Sequence, residues 1–168
     1  MLSRAENVWS PIVRFTHWLV AAGVIVNFFN ETGEAHRFIG YACVLFVLLR
    51  IIVGISVHAQ QNARFYLPSF KAIKQHMAEI RSRQFTQHVG HNPLGQCAVY
   101  GMWALIFLLA LTGWLSRTDA YWGEDWPVDL HELLSNLLQG LVLLHLAAVV
   151  LMSRLQRKNL IRQMIIGK

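Results

Sequence analysis

Four stretches of the chain, 11–29, 36–57, 93–116 and 130–153, are each long and apolar enough to cross a bilayer whose hydrocarbon core is about 30 Å thick. Backbone N–H and C=O groups find no water in that layer, so each stretch has to close its hydrogen bonds internally as a helix. The expected fold is therefore all-α: a membrane-spanning antiparallel four-helix bundle forming one domain over residues 1–168. Composition agrees. Hydrophobic residues make up 55% of the chain and charged ones 14%, with a mean hydropathy of +0.39, too oily for a soluble domain of this size. The first stretch does not read as a cleavable leader, because His17 and Trp18 interrupt it and no small-residue cleavage pattern follows. Ser10-Pro11 and Asn92-Pro93 both look like helix starts, a capping side chain followed by a proline suited to the first turn.

The net charge of +6 could suggest a nucleic-acid partner, but its distribution points to a membrane. Thirteen of the fifteen Lys and Arg lie before or early in the first stretch, between Arg50 and Arg83, or after Ser153. Only Arg37 and Arg117 fall at the other end, where seven of the nine acids accompany them: Glu31, Glu34, Asp119, Glu124, Asp125, Asp129 and Glu132. This positive-inside pattern puts both termini and the middle loop in the cytoplasm. The acidic outer face suits either a dock for a basic soluble partner or plain solvated loops. Tyr121, Trp122 and Trp126 among its charges read first as an interfacial aromatic belt, with part of a quinone or partner site as the alternative.

The fourth stretch carries two histidines, His131 and His145, with Glu132 the one charge between them. Fourteen residues of helix return to within about 40° of the same face and rise roughly 21 Å, so the two imidazoles project from one side near opposite membrane edges. Imidazole inside an apolar helix is costly unless something binds it. His17 in the first stretch lies at the depth of His145, and His36, at the start of the second, at the depth of His131. Antiparallel helices would then pair His17 with His145 on the inner side and His36 with His131 on the outer side. Four imidazoles in two storeys suit two haem irons, each closed by two axial ligands and so fitted to electron transfer rather than oxygen chemistry.

Arg50 follows His36 by fourteen residues on nearly the same face and reaches the inner storey. A haem propionate would satisfy it, and Arg14, three residues before His17, is a second candidate for that contact. His36, Gly40, Cys43, Val47, Arg50 and Gly54 share a face whose small residues suit either a flat macrocycle or close helix packing. Cys43 and Cys97 read as small core residues, and the lack of Cys-x-x-Cys-His excludes a covalently attached haem. Between the second and third stretches, 68–81 reads as an amphipathic helix, with Phe70, Ile73, Met77 and Ile80 opposite Lys71, Lys74 and Arg81. Such a helix would rest on anionic lipid. His58, His76 and His88 are expected to be solvated, and His91 could exchange protons with a quinone at the inner surface.

Val8-Trp-Ser-Pro-Ile-Val-Arg-Phe-Thr-His-Trp18, His36-Arg-Phe-Ile-Gly-Tyr41, Gly90-His-Asn-Pro-Leu-Gly95 and the His131/His145 helix together resemble the bacterial cytochrome b561 and nickel-hydrogenase b-type cytochrome family. The resemblance covers nearly the whole chain. It implies a bundle in the bacterial inner membrane with two b haems on His17, His145, His36 and His131. It also implies electron exchange between the quinone pool and a redox protein such as a c-type cytochrome. The alternatives it brings are a superoxide- or other small-molecule:quinone oxidoreductase and a hydrogenase cytochrome b subunit.

Overall fold

The computed structural model describes residues 9–56, 64–82 and 92–167, and among these every regular element is helical. Helix α1 spans Pro11–Phe29, α2 Gly33–Ile55, α3 Phe70–Ser82, α4 Pro93–Leu115, α5 Trp126–Leu155 and α6 Leu160–Ile166, with a single 3-10 turn at Asp119–Tyr121. Helices α1, α2, α4 and α5 are the four that length and composition allow to cross a membrane. They form two hairpins, α1 against α2 and α4 against α5, joined where α2 packs on α4.

Helix starts follow local chemistry. Asn92 accepts a hydrogen bond from the Gly95 amide at 2.7 Å and Pro93 occupies the first turn of α4. Two helices begin earlier than the hydropathy pattern suggests. α2 starts at Gly33 rather than 36, because Gly33 takes φ 91° and turns the chain within three residues of α1, and Glu34 then complements the helix dipole. α5 starts at Trp126 rather than 130, with Pro127 and Asp129 in its first turn. Both extensions are polar or proline-led, which hydropathy alone does not register as helix.

The inward face of α5 is His131, Leu134, Ser135, Leu138, Leu141, Val142 and His145, a three–four spacing that leaves the intervening leucines to face lipid. Leu138 lies seven residues from each histidine and is 3% exposed. With Val24, Cys43, Val47 and Ile106 it forms the buried apolar cluster of the bundle. Val24 in turn lies seven residues beyond His17, so this cluster fills the middle of the bundle between the two histidine levels. Hairpin α1–α2 closes at Gly23, where any Cβ would strike the Cys43 sulfur.

Two expectations change: Cys97, read as a core residue, is exposed, and His76, read as solvated, is buried. α3 forms over Phe70–Ser82, with Phe70 92% and Met77 59% exposed and Ile73 and Ile80 half-buried. The buried side is His76 and Glu79, whose Nδ1 and Oε2 lie 3.2 Å apart. His76 is therefore not a solvated histidine: the carboxylate three residues on allows the imidazole to be enclosed. His58, His88 and His91 lie outside the described residues.

Leu138→Ala should destabilise the bundle by about 2–4 kcal/mol through the cavity it leaves, read as earlier unfolding in detergent. A change below about 0.5 kcal/mol would place Leu138 outside the core.

Candidate haem-binding sites

His36 and His131 face each other with ring centroids 6.0 Å apart and planes at 66°. Two imidazoles bonded end-on to one metal at about 2.0–2.1 Å per bond stand about 6 Å apart by the same measure. The Nδ1 of each ring is already engaged. His36 Nδ1 lies 2.6 Å from the Asn30 carbonyl, to which it can only donate, and His131 Nδ1 lies 3.0 Å from Thr112 Oγ1. Asn27 of α1 donates to the His36 carbonyl at 2.9 Å, so the start of α2 is clasped by α1 through both backbone and ring.

His17 and His145 lie within electrostatic reach of each other at the other end of the bundle. The His17 ring meets Trp18 edge-on at 5.2 Å, and its Nδ1 is buried without a hydrogen-bond partner among the described residues. The pairs read from helical spacing are thus the pairs that the fold brings together.

These residues fit haem for three reasons. The ligand-bearing helices α1 and α2 do not pack closely on α5 at backbone level, although each packs closely on another helix. The rings at the His36–His131 level are separated by about the width of a six-coordinate metal. Finally, no group of three or more His, Cys, Asp or Glu converges among the described residues. Two imidazoles alone hold a metal well only when it arrives with equatorial ligands of its own, as iron in a porphyrin does.

Arg50 is 8% exposed, with its guanidinium carbon 4.4 Å above the Phe65 ring. Its Nη1 has no hydrogen-bond partner among the described residues. Phe65 also packs edge-on against Tyr100 and Trp103 and covers Gly54, where a Cβ would collide with its ring. The small residues of α2 therefore serve packing: Cys43 meets Gly23, and Gly54 lies beneath Phe65. Arg14 donates through Nη1 to the Ile165 carbonyl at 3.0 Å and Trp18 through Nε1 to Met164 at 3.1 Å. Both bonds serve carbonyls in the last turn of α6, which its own helix leaves unpaired. The Arg14 Nε remains buried without a partner among the described residues.

Asn27, Thr112 and Phe65 were not singled out by the sequence. Thr112 had a readable signal. It lies three residues before the end of α4 and His131 five after the start of α5, so antiparallel packing sets them at one level. Asn27→Ala should cost about 1 kcal/mol in thermal unfolding, one hydrogen bond's worth. No change in unfolding would mean that the Asn27 clasp is not formed.

The chain matches the family model described as prokaryotic cytochrome b561 over residues 8–167. It is 26% identical over 211 aligned residues to the probable Ni/Fe-hydrogenase B-type cytochrome subunit of Rhizobium leguminosarum bv. viciae, covering 96% of this chain and 87% of the relative. No solved structure matches it. With four membrane-spanning helices and a match along almost its whole length, the chain belongs to the prokaryotic cytochrome b561 family of multi-pass, haem b electron-transfer proteins.

Proposed function

We propose that the protein carries electrons across the bacterial inner membrane through two b haems, one held by His36 and His131 and the other by His17 and His145. The observation that carries this reading is the two-level arrangement of imidazoles on α1, α2 and α5, separated along α5 by fourteen residues, or roughly 21 Å. Each haem supplies one-electron redox chemistry when bound. The chain's part is to hold each iron with two nitrogens, leaving no open position, and to keep the space between levels apolar with Val24, Val47, Ile106 and Leu138. Arg50, buried and with a free Nη1 among the described residues, serves as the propionate partner at the inner level. Arg14 has one hand on α6 and only its Nε left to give, so its contact is the weaker part of that proposal.

The termini and the 64–82 segment lie on the cytoplasmic side, by the charge bias already described. Electrons are exchanged there with a membrane quinone, whose two-electron, two-proton chemistry is matched to the haems one electron at a time. At the outer face, Asp119, Glu124, Asp125, Asp129 and Glu132 are exposed in the same loop and helix start as Trp122, which is 84% exposed. That acidic surface favours a basic periplasmic redox protein such as a c-type cytochrome. It opposes the approach of superoxide, an anion. The name of the Rhizobium relative adds a hydrogenase as a second candidate partner at this face.

Liposomes containing the purified protein and loaded with ferricyanide should bleach when an impermeant reductant is added outside. His36→Ala and His145→Ala should both fall to the protein-free leak rate. Bleaching by either variant at the wild-type rate would contradict transmembrane conduction through these levels. Arg50→Leu should lower the potential of the inner haem by about 1–2 kcal/mol per electron, because one positive charge is removed. An unchanged potential would remove Arg50 from the site.

A further inference from the structure

We propose that Thr112 is a positioning residue for the His36–His131 haem: its hydroxyl accepts the Nδ1 proton of His131, turns Nε2 toward the metal, and sets the potential of that haem alone. The inference rests on the two-haem reading above.

Thr112 is 3% exposed on α4, the one spanning helix that brings no histidine to either level. Its Oγ1 lies 2.9 Å from the Leu108 carbonyl, 3.2 Å from the Leu109 carbonyl and 3.0 Å from His131 Nδ1. A hydroxyl has one proton to give, and carbonyl oxygens can only accept. The proton is therefore committed to the preceding turn of α4, and the oxygen faces His131 as an acceptor. Nδ1 must then carry the ring proton, which leaves the Nε2 lone pair for a metal. The opposite tautomer would put the Thr112 proton on His131, abandon the helix carbonyls, and protonate the nitrogen needed for ligation.

The neighbouring residue completes the seat. A Cβ on Gly113 would stand 3.2 Å from His131 Cε1 and 3.4 Å from Nδ1, so the ring rests close against the α4 backbone and would have to shift by a few tenths of an ångström to admit one. The facing His36 is held differently, by the Asn30 backbone carbonyl, which no substitution removes. The Leu109 backbone carbonyl also reaches the His131 ring, so Thr112 is the exchangeable side-chain partner at this level, beside a backbone one. Donation from Nδ1–H raises the electron density at Nε2 and favours the more positively charged iron. Losing it should raise the potential and weaken haem retention by about 10-fold or more.

The test is redox titration, with haem counting, of the purified haem-loaded protein carrying Thr112→Val, Thr112→Ala or Thr112→Ser. Val and Ala should raise the potential of one haem and leave the other at its wild-type value, and Ser should restore the wild-type pair. Selective loss of one haem in Val and Ala, with both kept in Ser, supports the same role. The bond from Thr112 to its own helix does not itself stabilise that helix. Val or Ala with two haems at wild-type potentials, or Ser behaving like Val, would overturn the role of Thr112. Wild-type protein with no haem would instead sink the underlying two-haem reading.

Discussion

An imidazole inside a lipid-embedded bundle has no water to satisfy its two nitrogens, and the rest of this structure is arranged around that constraint. At the His36–His131 level, one nitrogen of each ring is taken by the protein, through the Asn30 carbonyl and the Thr112 hydroxyl. In the proposed reading, the other nitrogen of each ring is the metal ligand. At the His17–His145 level the same problem is visible in a buried His17 Nδ1 that no described residue meets. Polar atoms in hydrocarbon are too costly to leave idle. In the proposed reading, one pair of imidazoles at each of two depths gives two haem positions along the bundle.

The helices divide the work. α1, α2 and α5 supply imidazoles, while α4 brings none and instead packs α5, meets α2 and presents Thr112 and Gly113 to the His131 ring. Between the two levels, the Val24, Val47, Ile106 and Leu138 cluster keeps the bundle closed. In the proposed two-haem reading, conduction and closure are separated by depth along the same helices. The ends are tied by long-range bonds: Arg14 and Trp18 of α1 hold α6, and the Tyr100 hydroxyl donates to the Tyr66 carbonyl at 3.0 Å.

Much of this was legible because helical periodicity turns spacing into geometry. The four spans, the antiparallel order and the two histidine pairs all follow from counting residues at a fixed rise and rotation. What sequence could not show lies where partners are far apart along the chain or where polarity is locally hidden. Arg14 and Ile165 are 151 residues apart, and nothing near Arg14 announces the carbonyl it serves. Thr112 returns its hydroxyl to its own helix and so reads as one more residue of an apolar run. His76 looked solvated because its loop is polar, yet Glu79 one turn on permits its burial. The starts of α2 and α5 were missed for a related reason, since glycine-, proline- and acid-led turns are helical here without being hydrophobic.

The central claim is that each pair of imidazoles clasps one iron. Low-temperature electron paramagnetic resonance of the oxidised, purified protein, integrated against protein concentration, tests it most directly. The account predicts two distinct low-spin signals, each amounting to one iron per chain. One low-spin signal per chain, or a substantial high-spin signal from iron with an open position, would contradict it.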